Sequence, residues 1–185
     1  MLRLIATAAL ALTMSAGASN AQTSTWSFRS AVDPITDARR GAASIESREE
    51  ITRSISGEEA LNSGRLHGNS RYMLMVKCDY ATREVYVSLA TPRGMTRSKT
   101  TVIQRFDSAE PTTPHWVTTS SVVGLFHPDE VAAFVAQARR ANRIALRIAG
   151  VDGAAPVDTV TFSGVGAARA IASVYQACGQ QLPAI

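Results

Sequence analysis

The sequence predicts an α+β fold, in which a mainly antiparallel sheet carries two helices packed on one face and one disulfide holds the parts together. Three observations lead there. Several segments alternate apolar and polar residues and are joined by hairpin-length links. Two segments have helical periodicity. The two cysteines fall one in a strand and one in the last helix.

The elements follow in order. Trp26-Ser27-Phe28-Arg29-Ser30-Ala31-Val32 alternates large and polar residues and reads as a strand. Asp33-Pro34-Ile35-Thr36-Asp37 is turn chemistry, with Asp33 and Asp37 as capping groups. Arg40 to Glu46 reads as the returning strand, although Ala42-Ala43-Ser44-Ile45 fits a helix as well. Ser47 to Ser70 is polar and reads mostly as loop, with a short helix near Gly57 to Asn62.

Arg71 to Cys78 is the clearest strand: Tyr72, Leu74, Val76 and Cys78 point one way, and Met73, Met75 and Lys77 the other. Asp79 to Arg83 is a hairpin-length link to a second alternating strand, Glu84 to Leu89. Thr100 to Phe106 is a further strand, and shorter ones follow around His115 to Thr118 and Ser121 to Phe126.

Pro128-Asp129-Glu130 opens a helix, since proline suits the first turn and acids suit its positive end. Val131, Phe134, Val135 and Ala138 form its apolar stripe. Asn142 breaks it, and Arg143 to Ile148 alternates as a strand. Gly150 to Pro156 is a turn-rich link, and Asp158 to Phe162 is the last strand. Ser163-Gly164-Val165-Gly166 leads into the final helix, where Ala167, Ile171, Val174 and Cys178 share a face.

The first residues carry a different signal. Arg3 precedes the apolar run Leu4 to Leu12, and small residues follow to Ala21. This is the three-part pattern of a secretory signal peptide. Ser19 and Ala21 place the cut before Gln22, and Ala16 and Ala18 offer a second site. The run is too short for a membrane anchor, which needs about 20 apolar residues. Residues 1–21 are thus expected to be a removed leader and 22–185 one domain, periplasmic or secreted, with no membrane span.

Removal of 21 residues from 185 leaves 164, enough to bury a proper core. Loss of Arg3 takes the net charge from +4 to +3, mildly basic and not a nucleic-acid signature. Lys77 and Lys99 are the only lysines; the arginine preference suits either anion binding or a compositional bias. In an oxidising compartment Cys78 and Cys178 read as one disulfide, which would clamp the last helix onto the sheet. Their spacing fits neither a zinc site nor a C-x-x-C redox motif.

No cofactor, metal or catalytic constellation is legible. The chain lacks G-x-x-x-x-G-K-[ST], H-E-x-x-H and G-x-S-x-G, and Gly164-Val165-Gly166 reads as a tight strand-to-helix turn. The histidines are His67, His115 and His127; a hydrolase would use His115 with Ser120 or Ser121 and Asp107 or Asp129. Lys77, Arg105 and Asp107 fall in or at the end of strands, Arg105 and Asp107 on one strand face, either as cross-strand pairs or as a surface for an acidic partner, with Trp116 or Trp26 as the aromatic centre of a binding patch. Arg139, Arg140, Arg143 and Arg147 are the densest basic run, which a helix end followed by a strand should scatter.

The order of these motifs is informative as a set. Trp26, Asp33 to Asp37, the strand ending at Cys78, Val102-Ile103-Gln104-Arg105-Phe106-Asp107, Trp116 with its serine pair, an apolar helix, and Phe162-Ser163-Gly164 leading to Ala177-Cys178 occur together behind a leader. In this the chain resembles the VasI/TagO group of envelope proteins associated with type VI secretion, and their stand-alone secreted relatives. Gly179 stands where that pattern often has an aromatic residue. The resemblance implies an accessory or binding role in the envelope, with no catalytic residues to carry over. The expectation is a non-enzymatic protein that binds another envelope macromolecule, protein or cell wall; a small hydrolase and a carrier with an enclosed apolar cavity are the alternatives.

Overall fold

The structure, a computed structural model, describes residues 25–32, 34–35, 39–49, 71–79, 81–91, 100–118, 122–150 and 158–184. The leader and its cut, Asp33, Asp37, the helix expected near Gly57 to Asn62, His67, Lys99, Ser120, Ser121 and residues 151–156 of the last link lie outside them.

Nine strands and two helices are present among the described residues. They are β1 (Ser27–Val32), β2 (Arg39–Glu46), β3 (Met73–Cys78), β4 (Val85–Ala90), β5 (Thr100–Phe106), β6 (Val117–Thr118), β7 (Val122–Leu125), α1 (Pro128–Ala138), β8 (Arg143–Gly150), β9 (Asp158–Ser163) and α2 (Ala167–Cys178). The α+β class holds, and every strand pair is antiparallel. The strands divide into two sheets, one of six in the order β1-β2-β3-β4-β7-β6 and one of three in the order β5-β8-β9.

The alternation of β3 sets the architecture. Leu74, Val76 and Cys78 are buried, while Met73, Met75 and Lys77 are half-buried on the other face. The register carries that inner face sideways to Ala43 and Ile45 in β2, Val87 and Leu89 in β4, and Val123 and Leu125 in β7. Inner residues of the second sheet, Val102, Phe106, Ile144, Leu146, Val160 and Phe162, join the same core. Phe134 of α1 meets Phe106 edge-on at 5.2 Å and Trp116 at 6.1 Å, so this helix ties both sheets together.

β2 is a strand rather than the helix its alanines also suit, paired with β1 on one side and β3 on the other, and its small residues let α2 lie close over it. A side chain on Gly41 would come within 3.1 Å of the Ala177 Cβ. The Cys78–Cys178 disulfide, with Cα atoms 5.7 Å apart, holds the end of α2 against β3. The helix closes on Gly179, whose left-handed φ of 69° suits glycine. Gln180 then donates to the Arg83 carbonyl of the β3–β4 hairpin at 3.0 Å.

A seam of hydrogen bonds joins the sheets. The Trp26 indole donates to the Ser163 carbonyl at 2.9 Å, and its backbone N–H to Val165 at 3.1 Å. Arg48 N–H donates to the Thr161 carbonyl, and the Glu49 carboxylate accepts from the N–H and hydroxyl of Thr161, both at 2.6 Å. The Tyr72 hydroxyl donates to Asp158.

Candidate ligand-binding face

Both helices pack against the inner face, no helix among the described residues covers the outer face of the six-stranded sheet, and its register can be read row by row. One row runs Arg29, Ala42, Lys77, Tyr86 across β1 to β4. Phe126, just beyond β7, stacks on Tyr86 with ring centroids 5.5 Å apart and 25° between planes. The next row runs Ser27, Ser44, Met75, Ser88, Gly124, Val117. The third pairs Glu46 with Met73 and Met73 with Ala90.

The middle row is made mostly of small residues, and where it crosses β1 to β3 it lies as a trough between bulkier neighbours. Its β1–β3 end is a groove of about 420 Å³, open to solvent, lined by Ser27, Arg29, Ser44, Glu46, Met73 and Met75 among others. The Ser27 and Ser44 hydroxyls lie 3.4 Å apart across it. Gly124 has a specific role here: a Cβ there would clash with the Phe126 ring, so glycine allows that ring to come this close to the sheet. Phe126 is still 46% exposed, and the Ser88 hydroxyl opposite Gly124 is buried without a hydrogen-bond partner among the described residues.

Lys77 is the distinctive charge. Burial alone lowers its pKa from the ordinary value, and its amine has no ion-pair or hydrogen-bond partner among the described residues. A half-buried cation without a counter-ion is an electrostatic cost that an anion placed over the face would relieve. Arg29, in the same row and exposed, also has no partner among the described residues. The two backbones are two strand spacings apart, roughly 9–10 Å.

The structure does not gather the residues that the sequence singles out. Lys77 lies on this face, whereas Arg105 lies on the outer face of the three-stranded sheet, where the register sets Ala145 opposite it. Arg143 and Arg147 flank Ala145 on that second face, so half of the basic run is brought together with Arg105. Asp107 lies past the end of β5 with a φ of 49°, and its carboxylate accepts from the N–H groups of Asn142 and Arg143. It anchors the start of β8 and does not share a strand face with Arg105.

Trp116 is buried beneath α1, and Trp26 is buried in the seam, so neither centres an exposed patch. His115 is exposed, and its backbone N–H, not its ring, donates to Glu130 at 2.9 Å. No cluster of three or more potential metal ligands occurs among the described residues. Arg29, Tyr86, Ser88 and Phe126 are missed by sequence reading. The alternation of β1 and β4 assigns each a side of its own strand, but only the strand order brings them together.

Fold and face together define a disulfide-clamped, two-sheet α+β protein with a chemically mixed outer surface on its larger sheet. Comparison of the chain with protein-family models, with curated proteins and with solved structures finds no match.

Proposed function

We propose that the protein is exported to the cell envelope and works there as a non-enzymatic binding protein, docking another envelope macromolecule on the outer face of the six-stranded sheet. The observation that carries this reading is the row Arg29, Ala42, Lys77, Tyr86 with Phe126 beyond it. It places two cations without partners among the described residues, and an aromatic stack with an exposed Phe126, beside a groove. Aromatic and arginine side chains are the residue types that dominate binding surfaces. The leader-like residues 1–21 and the Cys78–Cys178 bond support an oxidising destination. The order of motifs shared with the VasI/TagO group supports an accessory role, extending to type VI secretion.

The test is expression of the full chain in a two-membraned bacterium, followed by fractionation. The expected product starts at Gln22, carries the disulfide, and co-sediments with envelope fragments. Lys77→Met and Phe126→Ala should release it from those fragments while leaving it folded and oxidised. A full-length, reduced chain in the cytoplasm, or release unaffected by both substitutions, would overturn the reading.

A further inference from the structure

We infer that the occupant of the trough is an acidic polysaccharide, held with a carboxylate over Ala42 between Arg29 and Lys77 and a sugar ring on the Tyr86–Phe126 stack. The inference rests on the binding role proposed above and names its ligand class. Four observations point to it.

The first is that the chemistry lies on the face of the sheet and not along a strand edge. The backbone groups of β2, β3 and β4 are already engaged in ladders on both sides. A ligand there has to be held by side chains, which excludes the strand-addition mode by which sheets commonly capture peptides.

The second is the distribution of charge across the groove. Arg29 and Lys77 stand on one side, and Glu46 stands on the other, two residues beyond Ser44 on β2. The acidic side chains of a polyanionic peptide only accept hydrogen bonds and offer the Glu46 carboxylate no donor. A carboxylated glycan presents an acid to the cations and hydroxyl donors to the Glu46 carboxylate.

The third is the floor. Ser27 and Ser44 offer hydroxyls along the groove, and Ser88 holds a buried hydroxyl without a partner further along the same row. Hydroxyls both donate and accept, which suits a ligand whose own groups do the same. The fourth is the aromatic stack. Phe126 lies close over Gly124, stacks on Tyr86 and remains half exposed, and an aromatic ring presents its negative face to the polarised C–H groups of a sugar.

The experiment is calorimetric titration of the oxidised chain with three probes: oligogalacturonate as the carboxylated glycan, dextran oligomers as the neutral glycan, and oligoglutamate as the acidic peptide. Oligogalacturonate should bind with an affinity that falls as salt is raised, and the other two should not bind. Lys77→Met and Phe126→Ala should each weaken binding by at least about tenfold, and Lys77→Arg should restore most of the lysine effect. Gly124→Ala, which displaces the Phe126 ring, should mimic Phe126→Ala. Arg147→Gln, on the other sheet, should leave binding unchanged, and thermal melts of each variant confirm folding. Equal binding of oligoglutamate, or wild-type affinity in Lys77→Met, overturns the inference. If no probe binds while Lys77→Met still releases the protein from envelope fragments, the glycan assignment falls and the docking role stands. If release is also unaffected, both fall.

Discussion

Lys77 is held at a place where its charge is poorly solvated, between Ala42 and Tyr86, with no ion-pair partner among the described residues. Because burial lowers its pKa below the ordinary 10.5, the unfolded chain keeps this proton at pH values where the folded chain has begun to release it. Stability linked to this position therefore rises with pH through the interval below 10.5 and levels off above it. Lys77→Met keeps the stem and removes the charge, so it should be more stable than the parent at neutral pH. The advantage should shrink as pH approaches 10.5, a trend that denaturant midpoints measured across a pH series will show. An advantage that is absent, or that grows with pH, would mean the amine is well solvated and would remove the main electrostatic argument for the face. A substitution that strengthens the fold while weakening ligand capture is the trade expected of a binding residue.

At the level of elements, the helices and most strands are legible in the sequence, because burial on one side writes a period into each segment. The stripes of α1 and α2, the alternation of β3, and the pairing of a strand cysteine with a helix cysteine all follow from that. Which strand pairs with which is not written locally. Nothing in Thr100–Phe106 says that it joins β8 instead of the six-stranded sheet, since a strand's partner is chosen by packing far along the chain. The same limit hides the candidate face. Lys77 is visible as a polar residue on β3, but Arg29 and Phe126, 48 and 49 residues away, become its row-mates only through β2 and β4. The disulfide acts at this level too. It closes a loop of about 100 residues, and the chain-entropy model gives such a link up to about 4.7 kcal/mol. Reduction, or Cys178→Ala paired with Cys78→Ala, should lower the unfolding free energy by several kcal/mol. It should also raise hydrogen exchange first in the last turn of α2, which loses its covalent tie while the buried Ile171 and Val174 remain docked.

For the molecule as a whole, the question is what keeps two separate sheets acting as one body behind the candidate face. Part of the answer is the shared core around Phe134, and part is the seam at the edge of β9. That edge would otherwise leave backbone donors unpaired, and β2 covers it by running on through Ser47, Arg48 and Glu49. Glu49 is the most telling contact, because one carboxylate serves both the N–H and the hydroxyl of Thr161, 112 residues away. Glu49→Ala should therefore cost about 1–3 kcal/mol, the price of a part-buried donor left without its charged acceptor. Exchange at the Thr161 amide should rise much more than at Val160 or Phe162, whose side chains are locked in the core. Trp26 still pins the far end of β9 through Ser163, so the sheets should stay together and the trough should keep its affinity. Loss of ligand binding in Glu49→Ala without global unfolding would show instead that the seam sets the shape of the outer face, and that the two sheets are mechanically coupled through β2.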